Sequence, residues 1–171
     1  MKKNLTGIPP GFWYFDANDN RVRHYSKGEI PERLYCYQAV FCAYANADVG
    51  MASNLADTRF KAMQWFKAGG TFELANKIAS RKFETDIVKG EQGDIIFMGN
   101  DGNMNGHAVL LDSIESISDT KVVINTYGAY SNTGRIGHER MTFKKENGVW
   151  ISDHADANYI FRGYGQINKE E

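Results

Sequence analysis

Cys36 and His107 are the two residues whose types and settings combine most directly into chemistry: a thiolate nucleophile and an imidazole to take its proton. Cys36 falls early in a segment that reads as helical, where backbone N–H groups and the helix dipole favour a thiolate over a thiol. Cys42, among Phe41, Ala43 and Tyr44, has no such help and reads as a core residue. In one helix the two thiols would stand roughly 9 Å apart along the axis and on different faces, which argues against a disulfide. Two thiols without clustered histidines also fall short of a structural zinc set, so neither a metal nor a cofactor is expected.

Of the four histidines, His24, His138 and His154 lie in segments that read as solvated. His107 directly follows Gly106 and opens a strand, where its side chain can project over a neighbouring helix terminus. A base of this kind needs an orienter for its second ring nitrogen. If 107–112 and 121–127 form a hairpin centred near residue 116 or 117, position 107 faces about 126. That brings Asn125 within one residue of the partner position. Asp112 is the rival, but the two-residue period of a strand turns it to the face opposite His107, so Asn125 is favoured.

The elements that must position these residues follow from periodicity and punctuation. Residues 1–30 are rich in turn formers around Phe12, Trp13, Tyr14 and Phe15, and read as an irregular arm. Pro31 opens a helix that closes near Asn46 to Gly50. A second helix is predicted from Asp57 to about Ala68, stopped by Gly69 and Gly70, and a third from Phe72 to Ser80. Strands are predicted at Ile95–Met98, His107–Asp112, Lys121–Tyr127, Arg140–Phe143, Gly148–Ile151 and Tyr159–Gly165. Helices first and an antiparallel sheet second make an α+β domain, and 171 residues suit a single one.

Charge narrows the partners. With 20 basic and 21 acidic residues the net charge is −1, so no broad field gathers phosphates or anionic lipid. Nucleic acid and membrane are not expected partners. The first ten residues lack the apolar run of about 7 to 15 residues that a secretory signal needs. Action outside the producing cell would then require a trimmed signal or a secretion machine that ignores one.

The order Cys36-Tyr-Gln-Ala-Val-Phe, Gln92-Gly93-Asp94-Ile95-Ile96-Phe97, Gly106-His107-Ala108-Val109-Leu110-Leu111 and Val122-Val123-Ile124-Asn125 resembles the NlpC/P60 and CHAP group of papain-like cysteine peptidases and amidases. The resemblance spans residues 36–127 and implies a papain-like fold, helices packed on an antiparallel sheet. It also implies a triad of Cys36, His107 and Asn125 acting on amide bonds of peptidoglycan stem peptides through a thioester. The backbone N–H of Cys36 would be one oxyanion donor, with Tyr35 a candidate for another, and Asn100, Asp101, Asn103 and Asn105 would line the substrate groove. Its size and lack of a separate wall-binding module are similar to amidase effectors injected by type VI secretion systems. That likeness implies a monomer acting in the bacterial periplasm, with an immunity protein as partner. Two other readings are a deamidase or transglutaminase-like toxin using the same site, and a papain-like module that only binds.

Overall fold

In the computed structural model the described residues are 11–16, 21–26, 28–31, 33–47, 59–67, 74, 83–99, 106–129, 136–153 and 159–166. Two strands come first, β1 (Gly11–Asp16) and β2 (Arg21–Ser26), paired antiparallel from Gly11 with Ser26 to Asp16 with Arg21. The helices α1 (Cys36–Ala47) and α2 (Arg59–Lys67) follow. The rest is β: β3 (Phe83–Glu84), β4 (Ile95–Gly99), β5 (His107–Ile117), β6 (Lys121–Ala129), β7 (Ile136–Glu146), β8 (Val149–Ser152) and β9 (Ile160–Gly165).

Each of the six strands predicted after Gly93 exists, and their connection explains the fold. β4 to β8 run as an antiparallel meander, and β9 returns to pair with β4 on one edge. Its other edge meets β8 through Ile151 and Ile160, with Ser152 N–H donating to the Tyr159 carbonyl at 2.8 Å. This closes a six-stranded barrel, with β3 added outside on β9. Closure removes the exposed edges that an open sheet would present. The α+β, papain-like arrangement of helices on an open sheet is therefore not the fold: the sheet curls on itself, and the helices among the described residues are two short α-helices.

The arm expected over residues 1–30 is also corrected, since 11–26 contain the β1–β2 hairpin. The aromatics pair across it rather than pack irregularly: Tyr14 and Tyr25 have ring centroids 5.2 Å apart, and Phe12 lies 6.1 Å from Tyr25. The third expected helix, 72–80, falls outside the described residues except for Leu74.

Alternation along the strands builds two cores from one wall. The inner core fills the barrel with Ile96, Met98, Val109, Leu111, Ile124, Phe143 and Tyr164, among others. The outer core joins Ile95, Phe97, Ala108, Leu110 and Ala129 to the α1 residues Ala39, Val40, Phe41 and Tyr44 and to the hairpin residues Phe12 and Tyr14. Short-range chemistry sets the ends of elements. Asn147 and Gly148, at φ 50° and 81°, make the two-residue turn between Glu146 and Val149, the left-handed pair that suits a tight hairpin.

Candidate functional site

Cys36 is the first residue of α1. The helix begins here, not at Pro31, because Gln38 caps it. The Gln38 Oε1 accepts from the Tyr35 N–H at 3.0 Å, and Ala39 N–H donates to the Tyr35 carbonyl at 3.0 Å to start the helical ladder. This is the back-reaching half of a capping box, with Tyr35 at the cap. The Gln38 Nε2 donates to the Phe15 carbonyl at 3.0 Å, tying the helix start to the hairpin. Cys36 thus stands where the first-turn N–H groups of a twelve-residue helix have no carbonyl of their own helix to meet. Its side chain is half-buried, within reach of solvent.

Cys42 is a different kind of thiol. It is buried, donates to the Glu29 carbonyl at 4.0 Å and accepts from Asn46 Nδ2 at 3.6 Å. Burial pushes its pKa up to about 12, so at neutral pH it is a protonated core residue. The sequence expectation that separates the two cysteines agrees with their positions.

The far end of α1 fixes how the helix lies on the barrel. Tyr44 Oη donates to the Gly93 carbonyl at 2.6 Å, and Gly93 N–H donates to the Leu111 carbonyl at 2.8 Å. From Tyr44 back to Cys36 the helix rises about 12 Å. From Leu111 back to His107 the strand covers about 13 Å. α1 shares the outer core with Leu110 and Ala108 of β5.

His107 is 2% exposed. In the ladder it faces Met98, and alternation puts it with Val109 and Leu111 on the inner side of the wall. Its ring stacks on Tyr159 with centroids 5.9 Å apart and planes 19° apart. α1 packs on the outer side, so α1 and the His107 side chain lie on opposite faces of β5. Gly106 precedes the histidine because a Cβ there would come within 2.5 Å of the Met98 carbonyl oxygen.

Asn125 is not brought to His107. The β5–β6 hairpin turns between Ile117 and Val122, beyond the expected centre near 116 or 117, and with irregularities between Leu111 and Ser113 and between Ile114 and Ser116 this register pairs Asn125 with Ser113. Ser113 is six positions beyond His107, about 20 Å along the strand. The Asn125 Nδ2 donates to Ser113 Oγ at 3.1 Å instead. Asp112 sits at the first irregularity, where it accepts from Gln92 Nε2 at 3.2 Å and lies 3.9 Å from His138 Nδ1. Neither candidate orients the His107 ring. Asn100, Asp101, Asn103, Asn105 and His154 fall outside the described residues.

Asp94, from the Gly93-Asp94 motif, has a structural part. Buried at the start of β4, its Oδ2 accepts from Glu91 N–H at 2.8 Å and from Gln166 Nε2 at 3.0 Å, joining the entry of β4 to the exit of β9. Two residues of the Cys36 neighbourhood escaped the sequence reading. Gln38 was hidden because its capping partner is a tyrosine rather than Ser or Thr. Tyr37 was hidden because only its burial sets it apart. No family model, no curated protein and no solved structure matches the chain.

Proposed function

We propose that the protein is a cysteine hydrolase of amide bonds, with Cys36 as the nucleophile and peptidoglycan stem peptides as the substrate class. The observation that carries this reading is the place of Cys36: first residue of a twelve-residue helix, half-buried rather than sealed, on a helix whose other thiol is locked in the core. A thiolate there gains from the dipole and from the first-turn N–H groups, which also suit an oxyanion formed one bond away from sulfur. The substrate class comes from the order of the Cys36, Gly93-Asp94 and Gly106-His107 motifs and from their resemblance to NlpC/P60 and CHAP enzymes.

His107 is the proposed base. It is the histidine that opens β5, directly after Gly106 in the Gly-His motif of the resemblance. Because its ring faces the inner side of the wall, the proton passes around the strand end rather than across the wall. Asn125 has no part in this scheme. Attack by Cys36 on the amide carbon forms a thioester and releases the amine with the proton held by His107; water then breaks the thioester and restores the thiol.

Incubating purified sacculi with the protein tests the reading. Release of cleaved muropeptides by the wild type, and none by Cys36→Ala, is the expected result. Fragments unchanged beside an active control hydrolase would overturn it. A second reading, a module that binds without catalysis, is favoured by the distance of Asn125 from His107, which leaves the imidazole without the expected orienter. It predicts that Cys36→Ala retains full function and binding to sacculi.

A further inference from the structure

The imidazole of His107 lacks the orienter expected at Asn125, yet its ring is held by another element. Tyr159 stands directly before β9 and lies near-parallel to the His107 ring, with centroids 5.9 Å apart and planes 19° apart. Tyr159 is itself anchored at the seam that closes the barrel. Its carbonyl accepts from Ser152 N–H at 2.8 Å, and the next residue, Ile160, pairs with Ile151. The tyrosine side chain packs against the inner core, which also contains Val109 and Met98, the neighbours of His107 along β5 and across the ladder. The stack therefore reaches from β5 over β4 to the start of β9, and ties the histidine to the seam.

We infer that Tyr159 is a positioning residue for His107: its ring fixes the plane of the imidazole and offers a π-face to the positive charge that the imidazole carries after taking a proton. The inference rests on the reading of His107 as the base proposed above. Aromatic pairs prefer centroid separations of about 4.5–7 Å, and this stack lies within that range. His107 is 2% exposed, so an imidazolium there has little water to solvate it. Met98 and Val109 carry no charge to offset that cost. An aromatic face within about 6 Å of a cation does offset it, and more strongly where the pair is desolvated. The neutral imidazole gains only packing from the same ring. Tyr159 thus favours the state in which the base holds the proton, and no bond to Tyr159 forms or breaks.

Tyr159→Leu removes the π-face and Tyr159→Phe keeps it. Cleavage of solubilised sacculi is measured over a range of substrate concentrations, with far-UV circular dichroism confirming the fold of each variant. Tyr159→Leu is expected to lower kcat by about tenfold with KM within about twofold of wild type, whereas Tyr159→Phe keeps kcat within about twofold. Ile160→Ala, at the same seam but outside the stack, lowers the thermal midpoint and leaves kcat within about twofold. A second readout needs no substrate: the ring-proton NMR signals of His107, assigned by their loss in His107→Gln, move downfield in Tyr159→Leu as the shielding of the stacked ring is lost. They stay in place in Ile160→Ala. Equal kcat in wild type and Tyr159→Leu, or an equal fall in Tyr159→Leu, Tyr159→Phe and Ile160→Ala, would overturn the inference. If wild type cleaves and Tyr159→Leu matches it, this inference falls and the hydrolase reading stands. If wild type leaves sacculi intact while the His107 signals move in Tyr159→Leu alone, the hydrolase reading falls and the hold of Tyr159 on the ring stands. Tyr159→Met, which also lacks a π-face, repeats the comparison should the leucine variant not fold.

Discussion

The first residue and the middle of α1 carry the same functional group in opposite settings. At the N-terminal end Cys36 is half-buried and is the first residue of the helix. Six residues on, Cys42 is enclosed by Glu29, Asn46 and the outer core, and burial keeps its proton in place. On the proposed reading, position in the helix rather than residue type sets the reactivity of the two thiols. The carbonyl and amide contacts that make Cys42 a good core residue are those that make it a poor nucleophile.

Exchanging the two thiols for alanine sharpens the contrast most. Cys36→Ala is expected to lower cleavage of sacculi by about a thousandfold or more, the scale of losing a nucleophile. Cys42→Ala is expected to leave the rate within about threefold while lowering stability by about 1 kcal/mol, read by urea denaturation. Equal activity of the two variants would break the comparison.

The next effect separates His107 from Asn125. His107→Gln is expected to cost about 10² to 10⁴ in rate, the range for loss of a general base, with far-UV circular dichroism confirming the fold. Asn125→Ala is expected to stay within about twofold of wild type, because the register holds it beside Ser113. A large loss on Asn125→Ala would mean that β5 and β6 pair differently in the working enzyme.

The smallest effect is a pH dependence of stability. Burial raises the folded-state value of Cys42 from 9.0 to about 12, above that of the unfolded chain. Its contribution to stability is complete below about pH 9 and is lost as pH rises through about 12. Buried Tyr37, Tyr44 and Tyr164, also shifted upward, extend the loss to higher pH. The thermal midpoint should therefore fall above pH 9, and fall less steeply in Cys42→Ala. Parallel curves for the two proteins would contradict the assignment of Cys42 as a buried, protonated thiol.

The parts of the molecule legible from sequence are those decided locally. Ile95–Met98 announces itself as a buried strand, Gly106-His107 as a strand entry, and the apolar spacing around Val40 and Tyr44 as a helix. What escaped depends on distant partners or on defects in regular pairing. Closure of the barrel turns on the contact of Ile151 with Ile160, which no local pattern encodes. The choice of Asn125 as orienter assumed a hairpin centred near residue 116 or 117; the chain turns between Ile117 and Val122 instead, which leaves Asn125 opposite Ser113 and far along β5 from His107. The helix start was read from Pro31, a good first-turn residue, whereas the Tyr35–Gln38 cap places it at Cys36. The β1–β2 hairpin was obscured because aromatics occupy both of its faces.

The central claim is that Cys36 is the working thiol, and the native-state rates of thiol labelling at pH 7.5, resolved for Cys36 and Cys42 by peptide mapping, test it most directly. The account predicts Cys36 labelled at least about a hundredfold faster than Cys42, given the burial of Cys42 and the upward shift that burial gives its thiol. Cys36 labelled no faster than Cys42 would contradict it.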